Sequence, residues 1–190
     1  MGAFDHVTVL LSFVYALALT HLLSRAAAIY VARARVRFSW LTALMAVNGI
    51  LNVLNNWLAL WSLRSASSWD IASIACQFAF AIAVFFQCAL AIPEAAPEGP
   101  IDLEAYFWRE YRAFYSVALA GVLIIMAGNF TFLKTADPAA FWTWQIVCLV
   151  DALPIILALC VRTRWVQYGA AITSALLSVA MCVAMDGVLR

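Results

Sequence analysis

Six stretches of apolar residues, each close to the length that crosses a bilayer, are separated along the chain by brief polar breaks. A hydrocarbon layer about 30 Å thick requires roughly 20 helical residues. The spans this pattern predicts are about 7–30, 40–63, 71–92, 113–133, 141–161 and 166–186. Their connections are short apart from residues 93–112. There Ile92-Pro93-Glu94 ends the third span, because proline cannot continue a helix, and a Pro/Ala/Glu/Gly linker follows. Asp102 is placed to cap a short helix from Leu103 to about Tyr115. This segment interleaves Tyr106, Phe107, Trp108, Tyr111, Phe114 and Tyr115 with Glu104, Arg109, Glu110 and Arg112, the composition of a helix lying among lipid headgroups. The expected fold class is therefore all-α: one polytopic domain over residues 1–190, a bundle of six transmembrane helices with an interfacial helix between the third and fourth.

Composition agrees with that pattern. The chain is 67% hydrophobic and 11% charged, whereas soluble domains hold about 45–50% apolar and about 25% charged residues. A formal charge of +1 leaves no basic face for nucleic acid. The expected partners are the lipid bilayer and either further copies of the chain or other membrane subunits. Basic residues follow the first apolar stretch rather than precede it, so a cleavable signal peptide is not expected.

Arginine and lysine also set an orientation. Arg25, Arg33, Arg35, Arg37, Arg109, Arg112, Arg162 and Arg164 fall at one end of the six spans, and Arg64, Lys134 and Arg190 at the other. The positive-inside rule puts the first group in the cytoplasm and both termini outside, which in a bacterial inner membrane means the periplasm.

Candidate chemistry sits inside the spans. Span two carries Asn48, Asn52, Asn55 and Asn56 near its middle. At about 100° per residue the first three share a narrow stripe, with Asn56 at its edge. A carboxamide facing lipid leaves donors and acceptors unpaired at several kcal/mol each, so the stripe must face protein or water. Asp151 lies near the middle of span five, followed by Pro154, which removes the helical partner of the Val150 carbonyl. An ionised, unpaired carboxylate at that depth is costly, and such residues mark ion or proton routes. Asn52 or Asn48 is its expected donor, with His21 second.

If spans one, two and five adjoin, these groups form a polar column ending at Asp151 and His21. Gln77, Asn129, Gln145 and Arg25 are its secondary members, although Arg25 can also snorkel to the interface. Against this stands a purely structural role, since carboxamides join transmembrane helices through bonds worth under about 2 kcal/mol.

Other chemistries lack their residues. His6 and His21 would lie about 22 Å apart on one helix, too far to share a haem iron. HExxH, GxSxG and paired carboxylates at one depth are absent from the sequence, so no catalytic set is assigned. The five cysteines lie within predicted spans without CxxC spacing and read as small buried hydrophobes, not metal ligands. No cofactor can be assigned. The expected function is a small transporter or channel subunit with an intramembrane path for a proton, ion or small solute. The alternatives are an accessory subunit of a larger membrane complex and, behind it, an intramembrane enzyme or cofactor binder.

Overall fold

A computed structural model describes residues 3–62, 71–96, 98–132 and 138–189. Among these, six α-helices carry almost the whole chain: α1 Ala3–Val31, α2 Trp40–Ser62, α3 Ile71–Ala91, α4 Leu103–Phe132, α5 Pro138–Cys160 and α6 Arg164–Leu189. Each is long and apolar enough to cross a membrane, and the chain is a multi-pass membrane protein with an all-α helical bundle. Large apolar side chains such as Phe13, Leu17, Leu153 and Leu176 stand exposed on the bundle's outer faces, as lipid requires.

The helices are not equivalent. α2, α3, α4, α5 and α6 pack in a closed ring, each against the next, with α6 returning to α2. α1 lies outside that ring, against α3 and to a lesser extent α2. Two glycines hold positions where a side chain would be disfavoured, one for space and one for backbone conformation. A Cβ on Gly49 of α2 would meet Leu22 Cδ1 at 3.1 Å and Cys88 Sγ at 3.4 Å, so a side chain there would press on Leu22 of α1 and touch α3. Gly99 has a φ of 87°, in the left-handed region that glycine enters without strain.

One expectation is corrected here. The segment from Leu103 to Tyr115 is helical, but it is not a separate interfacial helix. It forms the first turns of α4, which continues unbroken to Phe132. Thirty helical residues extend about 45 Å, beyond the hydrocarbon thickness, so these turns stand clear of the core at the arginine-rich end. Nothing between Leu103 and Tyr115 breaks a helix, and Phe107, Tyr111, Phe114 and Tyr115 recur at helical spacing as buried positions against the bundle. Arg109 and Arg112 take the exposed side.

The arginine-rich end is tied together by local contacts. Residues Val36–Arg37 and Ile101–Asp102 pair as two short parallel strands, β1 and β2. Arg35 donates to the carbonyls of Gly99 and Ala96, Arg164 pairs with Glu104, and Thr42 Oγ1 donates to the Leu103 carbonyl at 2.7 Å. Arg64, Lys134 and Arg190 lie outside the described residues.

Asp102 caps α4 as the sequence predicts. Its Oδ1 accepts from the backbone N–H groups of Glu104 and Ala105 at 2.9 Å each, and Oδ2 meets Arg37 at 3.0 Å. The bond from Ala105, then the Arg37 contact, hold its carboxyl below the usual carboxylate range. A carboxyl depressed on folding contributes stability at neutral pH and loses it as pH falls through the folded value, below roughly pH 4. Asp102→Asn, which can still cap, is expected to lower the melting temperature in detergent at pH 7 and to match the wild type in strong acid. An equal deficit at both pH values would show that the charge contributes nothing.

Candidate functional site

The five-helix ring does not close on a solid core. Inside it lies a cavity of about 720 Å³, bounded by the halves of the helices nearer the termini. It runs along α2 from Asn52 to Leu60, along α4 from Val122 to Asn129 and along α5 from Asp151 to Trp144. A smaller cavity of about 70 Å³ continues it inward and shares Asn52, Phe80, Val122, Ile125, Asp151 and Ser178 with it. The inner cavity reaches Asn48, Gln87, Phe114, Tyr115, Ile155 and Ser174. Beyond them the ring is filled: Phe107 and Tyr111 are buried and stacked with centroids 5.9 Å apart, and Gln167 is buried against the C-terminal carbonyls of α5. Among the described residues the two cavities together make a funnel that narrows at the level of Asp151.

Its wall is apolar with one polar strip. Aliphatic and aromatic side chains, with alanine, glycine, cysteine and methionine, supply most of the lining, while Asn52, Asn55, Asn56, Gln77, Asn129, Asp151 and Ser178 supply the strip. Most of the carboxamides are spoken for. Asn48 donates to the carbonyls of Leu44 and Ala171, joining α2 to α6. Asn52 donates to Gln87 of α3 and accepts from Asn56 at 2.6 Å. Asn55 accepts from the Cys182 thiol of α6. Asn129 donates to Gln145, whose own amide reaches the Met126 carbonyl. The stripe on α2 thus does what the structural reading expects of it: it holds the ring shut through amide bonds of modest strength.

Asp151 is the exception. It lines both cavities and has no hydrogen-bond or ion-pair partner among the described residues. The expected pairing with Asn52 or Asn48 is not formed: Asn52 donates to Gln87, and Asn48 gives both its N–H groups to Leu44 and Ala171. His21 is not a partner either. It belongs to α1, outside the ring, and packs beside the Phe85 ring of α3 with centroids 5.9 Å apart. Arg25 of α1 is likewise remote from the cavity and donates to the carbonyls of Ala89 and Ile92 at the end of α3. The proposed adjacency of spans one, two and five fails for this reason. α5 has α4 and α6 as neighbours, and α1 is held on the far side of α3.

Of the predicted members, Asn48, Asn52, Asn55, Asn56, Asp151, Gln77 and Asn129 line the funnel, Gln145 supports Asn129 from behind, and His21 and Arg25 stand apart. Four polar residues lining the inner cavity escape the sequence-based set: Gln87, Tyr115, Ser174 and Ser178. Ser174 and Ser178 stand one turn apart on span six, and that spacing is legible in the sequence. Tyr115 is hidden by its place in an aromatic run that reads as interfacial. The Tyr115 and Ser174 hydroxyls are buried without a partner at the funnel's floor. No group of three His, Cys, Asp or Glu side chains suited to a metal is present among the described residues.

No protein-family model matches the chain, and neither a curated protein nor a solved structure is detectably similar to it.

Proposed function

We propose that this chain is a small transporter or a transport subunit whose substrate or coupling ion enters the funnel and is held at Asp151. The observation that carries this reading is the carboxylate itself, left without a partner among the described residues where the cavity narrows within the bundle. A carboxylate kept only to brace helices would be bonded to them, as the neighbouring carboxamides are. An accessory subunit would have no use for an unpaired acid at that depth, which is costly to maintain. A funnel closed at one end suits alternating access better than an open channel, because one side of the barrier is already formed. With the arginine-rich end in the cytoplasm, the funnel faces outward, toward the periplasm in a bacterial inner membrane.

Access from one side is the test. In a cysteine-free protein, Ser178→Cys places a thiol at the narrowing, and Ala158→Cys places one in the sealed part. A membrane-impermeant methanethiosulfonate added on the side of the termini is expected to modify the first thiol, spare the second, and block proton flux in liposomes holding a trapped pH dye. Modification of both thiols at equal rates, or flux indifferent to the label at Ser178→Cys, would overturn the reading.

A further inference from the structure

The funnel's lining narrows the chemistry of what it takes, and this step rests on the transport reading above. The geometry points to an organic cation of single charge with an apolar body: the charged group sits at Asp151 and the body against the walls of the wider cavity. Charge comes first. Among the described residues that line the funnel, none is arginine, lysine or histidine and Asp151 is the sole carboxylate, so an anion finds no counter-charge there and a cation finds one. Around Asp151 the other polar groups can all accept. The buried hydroxyls of Tyr115 and Ser174 have no partner. The carbonyl of Val150, a lining residue, has lost its helical donor to Pro154.

Size and polarity then separate the candidate cations. A bare metal ion exchanges its water for roughly six to eight oxygens in a tight shell. A cavity of about 720 Å³ is far wider than such a shell, most of its lining is apolar, and the amides of Asn52, Asn55, Asn56 and Asn129 are engaged with protein partners. A proton alone requires no apolar volume at all. An apolar body, by contrast, gains from that wall at roughly 25 cal/mol per Å² removed from water, and ligand sites of this kind are commonly about 300–1,000 Å³ with few polar groups. Phe80, which lines both cavities, adds an aromatic surface suited to a cation.

Tetraphenylphosphonium is a probe of this class, and triphenylphosphine oxide is a neutral aryl comparison. The full chain, purified in mild detergent, is expected to bind radiolabelled tetraphenylphosphonium saturably and to prefer it over the neutral compound by roughly tenfold or more. Asp151→Asn, checked for folding by gel filtration, should lose that preference. Equal binding of the two probes by the wild type, or an unchanged preference in the variant, would overturn the inference. Absence of saturable binding beside intact, Asp151-dependent proton flux would also overturn it while leaving the transport reading in place.

Discussion

Asp151→Asn is expected to reduce pH-gradient-driven proton flux in proteoliposomes to the level of protein-free vesicles while leaving the fold intact. The asparagine has nearly the shape of the aspartate but neither titrates nor carries charge, so whatever depends on binding a proton or cation at that position is lost. Stability is a separate matter, and here the structure changes the expectation. If Asp151 were bonded to Asn52 or Asn48, replacing it with leucine would leave those amides unpaired and cost about 1–3 kcal/mol. Those amides bond Gln87, Leu44 and Ala171 instead. Asp151→Leu should therefore unfold no more easily than the wild type, since it removes a polar group that no protein atom satisfies. Unfolding by denaturant in detergent measures this. A loss of about 1 kcal/mol or more in the leucine variant, with flux retained in the asparagine variant, would make Asp151 a brace and end the transport reading.

The contrast between Asp151 and the asparagines also shows how far the sequence could be read. Lipid sets a strict rule for backbone and side-chain polar groups, so the existence of six spans follows from apolar length alone, although the fourth helix begins at Leu103, before the span read for it. The inward turn of the α2 stripe follows from the same rule. Partner choice does not, because it depends on which helices adjoin, and apolar faces look alike to every neighbour. Asn52 reaches Gln87 since α3 packs beside α2, a fact no residue in either span announces. His21 would reach Asp151 only if α1 adjoined α5, and α1 instead stands outside the ring against α3. The segment from Leu103 to Tyr115 misleads differently. Its charges suggest a headgroup location, but the buried stripe of Phe107, Tyr111 and Phe114 is spaced for packing against the bundle. Period, more than composition, carried the answer there.

Arg25→Leu is expected to lower stability by about 2 kcal/mol, the largest loss among the charged residues at that end. The reason lies in the last turn of α3, whose carbonyls have no helical N–H to accept from. Arg25 Nη1 donates to Ala89 O at 2.7 Å and Ile92 O at 3.0 Å, and Tyr106 Oη donates to Leu90 O at 3.0 Å. A guanidinium at a helix C-terminus also faces the negative end of the dipole. Leucine keeps the apolar stem and removes both bonds and the charge. Its effect is therefore not one of packing, and Arg25→Lys, with charge but without the planar fork, should fall between the two. Gln87 lies within about a turn of these carbonyls, so fraying of this end would loosen the partner of Asn52. Hydrogen exchange should accordingly quicken at the backbone amides of Cys88 to Ala91 in the leucine variant and spare those of α5. An unfolding midpoint unchanged by Arg25→Leu would mean that interfacial water satisfies the α3 terminus unaided, and that the arginine serves only to mark the side.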